Sequence, residues 1–178
     1  ALLSSDNVWH VMSSHGTGYF QVILDHVSGA TAAYGLRLLQ NDYNGPCLKV
    51  RRSSDNTTQD IYTNSNGTLN TNAISIWAGG TDVFIETWYD QTGNGNDLTQ
   101  ITEDNQPQLI LSGETKISFD GTNDSMEDAF TLDQPYTLIS FNQIGSSAQS
   151  SNDIFIDGYN GDSIDFRYKS ATIADTYN

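Results

Sequence analysis

Five carboxylates, Asp90, Asp120, Asp124, Glu127 and Asp128, are available to a reaction that uses two acids. Glycosidic hydrolysis is such a reaction, with carboxyl groups about 5–5.5 Å apart for retention or about 6.5–9.5 Å for inversion. Spacing along a chain does not set that distance. Asp120 and Asp124 flank a turn, where short acidic side chains accept hydrogen bonds from their own backbone, so they are read as turn caps and no catalytic residue is named. A different chemistry lies in Trp88-Tyr89-Asp90-Gln91-Thr92-Gly93-Asn94-Gly95-Asn96-Asp97-Leu98-Thr99-Gln100. Sugars lay their apolar faces on aromatic rings and turn their hydroxyls toward amides and carboxylates. Trp88, Tyr89, Asp90, Gln91, Asn94 and Asn96 therefore form the expected carbohydrate-binding set. A structural reading runs beside it, in which Trp88 and Tyr89 pack inward and the polar members hydrogen-bond a tight loop.

Other reactive side chains are read structurally. Arg51 and Arg52 are adjacent, so a strand points them to opposite sides, and an Arg–Asp brace to Asp55 or Asp60 is expected in preference to recognition of an acidic glycan. His10, His15 and His26 lack zinc-ligand spacing, and no Ser-His-Asp or Cys-His arrangement is present. Cys47 is expected to be a small buried side chain. Asn56-Thr57-Thr58, Asn66-Gly67-Thr68 and Asn123-Asp124-Ser125 match the glycosylation sequon, a weak signal in an Asn-rich chain.

The elements that must position these residues read as strands. Val83 to Tyr89 alternates, with Val83, Ile85, Thr87 and Tyr89 on one face and Phe84, Glu86 and Trp88 on the other. Further strands are expected at Tyr19–Leu24, Leu48–Arg52, Gln108–Leu111, Lys116–Phe119, Tyr136–Asn142, Asp153–Ile156 and Ser163–Lys169. Turns at Asn64-Ser65-Asn66-Gly67, Gly93-Asn94-Gly95-Asn96, Asp120-Gly121 and Asp157-Gly158 separate them. Two segments read as helical: Ser28–Gln40, with Ala32, Ala33, Leu36 and Leu39 at helical spacing, and Thr71–Trp77, stopped by Gly79-Gly80.

The chain has 178 residues, enough for one β-sandwich, and 22 acidic against 7 basic side chains give a net charge of −15. Phosphate binding needs clustered cations, so nucleic acid is excluded as a partner. The acidity fits a solvated surface in an extracellular setting, and acidic loops allow calcium, although no segment follows a dedicated ligand spacing. One cysteine permits no internal disulfide. No apolar run reaches the length that spans a bilayer, so membrane insertion is not expected.

Tyr34-Gly35-Leu36-Arg37-Leu38-Leu39, Tyr43-Asn44-Gly45-Pro46, Val50-Arg51-Arg52-Ser53-Ser54-Asp55, Asp60-Ile61 and the Trp88–Gln100 stretch together resemble the α-L-arabinofuranosidase B catalytic domain and similar domains of phage structural proteins, over roughly residues 28 to 125. Ile117-Ser118-Phe119-Asp120-Gly121-Thr122-Asn123-Asp124 and Gln134-Pro135-Tyr136-Thr137-Leu138 resemble strands of concanavalin A-like and laminin G-like jelly rolls. The resemblance implies a nucleophile in a Met-Glu-Ala context and a disulfide between adjacent cysteines. Met126-Glu127-Asp128 echoes the first but follows the Phe-Asp-Gly turn too early, and the adjacent cysteine pair is missing, so no catalytic residue is carried over.

The fold expected is an all-β, concanavalin A-like jelly-roll β-sandwich with one or two short helices, a single domain over 1–178 that is a fragment of a longer chain. Its expected role is a non-catalytic glycan-binding or structural domain of a phage virion or similar surface assembly. Cell-surface glycans or neighbouring virion subunits are the expected partners, in a homo-oligomer at an extracellular or virion surface, with no cofactor beyond calcium. Two alternatives stand beside it: an extracellular retaining α-L-arabinofuranosidase, and a purely structural module that binds no sugar.

Overall fold

The computed structural model describes residues 22–132, 135 and 137–141, together with the backbone of four short strands outside them. Two compact units divide the chain at residue 133. In the first, β1 (Leu2–Leu3) pairs antiparallel with β2 (Trp9–His10). The remaining strands of this unit form one antiparallel sheet: β3 (Leu48–Arg52), β4 (Thr58–Ile61), β5 (Val83–Trp88), β6 (Leu98–Thr99), β7 (Gln108–Ile110) and β8 (Lys116–Ser118). Their order is β4-β3-β5-β7-β8, with β6 also pairing with β5. In the second unit β9 (Asp153–Ile156) pairs with β10 (Phe166–Tyr168). The protein is all-β with few helical turns.

Alternation decides which side of the sheet is dry. Val83, Ile85 and Thr87 of β5 are buried, while Phe84, Glu86 and Trp88 are half-buried. Leu48 and Val50 of β3 are fully buried and join Ile85, Leu109 and Ile61 in the core. A bulge between Lys49 and Val50 sets Lys49 opposite Thr87 but Val50 opposite Ile85, a kink of the kind that adds twist to a sheet. Lys49 and Glu86 then meet in a 2.6 Å ion pair.

One helix, α1 (Thr71–Ala78), closes the core by burying Ile74 and Ala78, one turn apart. Asn70 caps it, its Oδ1 accepting from the Ala73 N–H. Gly79 ends it at φ +62°, where a side chain would be strained. The short helix expected at Thr71–Trp77 is thus present, one residue longer.

The helix expected over Ser28–Gln40 is not formed. Among the described residues a 3₁₀ turn at Ile23–Asp25 precedes an irregular segment. Here the strand expected at Tyr19–Leu24 gives way, as far as its residues are described. Helical spacing at Ala32, Ala33, Leu36 and Leu39 lost because the backbone of this segment finds partners elsewhere. Leu38 N–H donates to Gly67 O at 2.8 Å, Leu24 N–H donates to Leu39 O at 2.9 Å, and further donors and acceptors meet side chains of the 90–96 loop. Residues 137–141 carry no strand, and the turn expected at Asp157-Gly158 lies outside the described residues.

Candidate functional site

The Trp88–Gln100 stretch leaves β5 and folds into a loop whose polar side chains reach across more than fifty residues of sequence. Asp90 is buried, with Oδ1 accepting from the Ala33 N–H and the Thr92 N–H, each at 2.9 Å. Its Oδ2 accepts from the Thr92 hydroxyl at 2.6 Å. Gln91 is wholly buried and acts as a strand partner in miniature. Its Oε1 accepts from the Leu39 N–H at 2.9 Å, and its Nε2 donates to Gly35 O and Arg37 O at 3.2 and 2.9 Å. Asn94 Nδ2 donates to the carbonyls of Ala30 and Thr31, and Asn96 Nδ2 donates to Thr31 O at 2.7 Å. Gly93 and Gly95, both at φ +82°, give the loop its reversals.

The six residues expected to bind carbohydrate therefore lie at the end of β5 and in the loop that follows it, and four of them hold the 30–40 segment by its backbone. Tyr89 and Trp88 take no part in that hold. The Tyr89 hydroxyl donates to Asp60 Oδ1 at 2.9 Å, and burial, then the Asp60 carboxylate, hold that phenol well above its usual pKa. Trp88 is half-buried against Tyr34, ring centroids 5.8 Å apart and planes tilted by 52°. Its Nε1 is enclosed without a partner among the described residues. The Tyr34 hydroxyl donates to Asn96 O, and burial, with Asp90 next, raises its pKa.

A concavity of about 340 Å³ opens on the half-polar side of the sheet over Arg51 and Phe84. Arg51 is buried, its Nε donating to Gln106 Oε1 at 2.7 Å and its Nη1 to Asn56 Oδ1 at 2.8 Å, with the guanidinium 4.8 Å from the Phe84 ring centre. The expected Arg–Asp brace is made by Arg52, whose Nε and Nη2 grip both oxygens of Asp55 at 2.8 and 2.6 Å, at the surface rather than buried. That clamp holds the exposed Asp55 well below the usual carboxylate range. Asp60 goes to Tyr89, and the buried arginine takes amides, a partner choice that adjacency in sequence does not reveal.

Asp120 and Asp124 rim the same concavity and cap their own turn, as expected. Asp120 Oδ1 accepts from the Thr122, Asn123 and Asp124 N–H groups, which lower its pKa, the Thr122 bond foremost. Asp124 Oδ2 accepts from the Asp120 N–H at 2.9 Å, yet burial raises its pKa. Glu127 exchanges backbone bonds with Thr99 and is exposed. Cys47 is fully buried and its thiol is pushed up to about 11 by burial. Among the described residues no three His, Cys, Asp or Glu side chains gather as a metal would require, and no helix is long and apolar enough to cross a membrane. Sequence reasoning missed Gln100 and Gln106, two buried amides that tie β6, the 3₁₀ turn Glu103–Asn105 and Arg51 together; Gln106 Nε2 donates to Gln100 O at 2.8 Å.

Residues 26–158 match the family described as α-L-arabinofuranosidase B, catalytic. Among curated proteins, the α-L-arabinofuranosidase B of Emericella nidulans is 43% identical over 65 residues, 36% of this chain and 13% of that protein. The Penicillium canescens α-L-arabinofuranosidase B is 39% identical over 80 residues, 42% of this chain and 17% of that protein. The chain therefore spans under a fifth of the length of these relatives. A solved arabinofuranosidase complexed with arabinofuranosyl-α-1,2-xylobiose is 30% identical, covering 45% of this chain and 19% of that one at a TM-score of 0.41. The family match and the curated relatives overturn the expectation of a non-catalytic domain of a phage virion with neighbouring virion subunits as partners, and with it the leaning against an enzyme and the placement on a virion surface. The expected phage likeness finds no support among these relatives, whereas the family match extends over three quarters of the chain. The chain belongs to the α-L-arabinofuranosidase B catalytic-domain family.

Proposed function

We propose that this chain is part of an extracellular α-L-arabinofuranosidase, a glycoside hydrolase that acts on arabinofuranosyl groups by a retaining mechanism. The family match over residues 26–158 carries the reading. Retention uses a carboxylate nucleophile and a carboxylic acid about 5–5.5 Å apart. Asp120 and Asp124 serve their own turn, so the role of the described part is to shape and support. Asp90 and Gln91 act as positioning residues behind the loop, fixing the 30–40 segment. Trp88, Tyr89, Asn94 and Asn96, which keep part of their surface exposed, are the members that face sugar. The described sheet forms one layer of a jelly-roll sandwich, its half-polar side turned toward substrate.

The test is hydrolysis of 4-nitrophenyl α-L-arabinofuranoside by the natural polypeptide that carries this chain, with the β-D-xylopyranoside as control. Release from the arabinofuranoside with retained anomeric configuration, followed by proton NMR, is the expected result. Absence of release, or inversion, would overturn the reading.

A further inference from the structure

A cavity of about 390 Å³ lies where Leu36 and Arg37 of the 30–40 segment meet the 64–71 stretch, and Leu36 and Leu69 contribute its apolar lining. Its polar lining is Arg37, Asn64, Thr68, Thr71 and Thr115. In a chain with 22 acidic against 7 basic residues, this lining contains an arginine and no acid. By contrast, the concavity over Phe84 is lined by Glu103, Asp104, Asp120 and Asp124.

What distinguishes the cavity is the state of its donors. Lys49 is paired with Glu86, Arg52 with Asp55, and Arg51 with amides and Glu103. The guanidinium of Arg37 makes no hydrogen bond or ion pair among the described residues, and neither do the hydroxyls of Thr71 and Thr115. The Arg37 side chain is exposed at the mouth of the cavity, while its backbone is fixed: it forms a bridge with Thr68, and its carbonyl accepts from Gln91 Nε2 at 2.9 Å. Leu38 N–H beside it donates to Gly67 O. Asn64 and Thr68 are engaged with each other at 3.2 Å, which fixes that wall.

We propose that this cavity binds the carboxylate of an acidic sugar, a hexuronate residue on the glycan substrate. The inference rests on the arabinofuranosidase reading for its glycan context and adds an anionic branch to the ligands. A planar guanidinium matches a carboxylate with two parallel N–H bonds. Hydroxyls of Thr71 and Thr115 complete the site by donating to the remaining carboxylate or ring oxygens, while Leu36 and Leu69 meet an apolar sugar face.

Isothermal calorimetry with tetragalacturonate, a neutral galactose tetramer and a sulfated galactose tetramer tests the proposal. Tetragalacturonate is expected to bind the wild-type protein and the neutral tetramer to bind far more weakly. Arg37→Gln is expected to weaken tetragalacturonate binding about tenfold or more, the loss that one charge-assisted contact brings, and Arg37→Lys to restore it in part. Thr115→Val, which leaves the charge in place, is expected to weaken it by a smaller factor. Equal binding of neutral and acidic tetramers, binding unchanged in Arg37→Gln, or binding of the sulfated tetramer alone would each overturn the carboxylate site. Calorimetry reads no turnover, so this result and hydrolysis of the neutral arabinofuranoside fail or succeed separately.

Discussion

Gln91 carries no charge and reaches no solvent, yet three backbone groups of another segment depend on it. Replacing it by Leu keeps its bulk and leaves the Leu39 N–H and two carbonyls without partners. An unpaired buried group costs about 1–3 kcal/mol, so Gln91→Leu is expected to lower stability by about 2–4 kcal/mol in urea unfolding monitored by tryptophan fluorescence. Asp120 and Asp124 make a second prediction, because folding moves their pKa values in opposite directions. Asp120 is lowered, so its contribution is present above the unfolded value of about 4 and is lost as pH falls through the folded one. Asp124 is raised, so its contribution is present below the unfolded value and is lost as pH rises through the folded one. Thermal midpoints at pH 3 and pH 7 should therefore show Asp120→Ala costing more at pH 7, and Asp124→Asn relatively more favourable at pH 7 than at pH 3.

At the scale of elements, α1 and the 30–40 segment show opposite outcomes of the same helical spacing. α1 has a cap at each end, Asn70 and Gly79, and an apolar stripe that meets the sheet. Asn70→Ala removes the bond to the Ala73 N–H and is expected to cost about 1 kcal/mol, read as a lower urea midpoint at unchanged m-value. Between 28 and 40 a helix would satisfy its own backbone, but Asp90, Gln91, Asn94 and Asn96 compete for the same groups. A consequence is that Asp90→Ala should speed amide hydrogen exchange at Ala33 while leaving the β3 and β5 amides protected; unchanged exchange at Ala33 would show that the loop does not hold the segment. The strand β5 and its faces were legible in advance because period two in the sequence is period two in space.

For the whole molecule, a net charge of −15 in 178 residues repels itself. Raising sodium chloride from about 10 mM to about 0.3 M shortens the screening length severalfold, so the thermal midpoint is expected to rise with salt. A midpoint that falls would mean the Arg52–Asp55 and Lys49–Glu86 pairs outweigh the general repulsion. The sequence by itself determined the β class, the β3, β5, β7 and β8 strands, the short helix, the turn caps at Asp120 and Asp124 and the burial of Cys47, since each depends on residues close in the chain. Its motifs also carried the arabinofuranosidase resemblance, although the phage side of that resemblance drew the function away from the enzyme its relatives indicate. Tertiary structure alone decided that 28–40 is not a helix, that Arg51 takes amides while Arg52 takes Asp55, and that Arg37 stands unpaired in a cavity without acids. Those outcomes turn on which distant backbone groups and side chains meet, and hydrogen-bond competition across fifty residues leaves no periodicity to read.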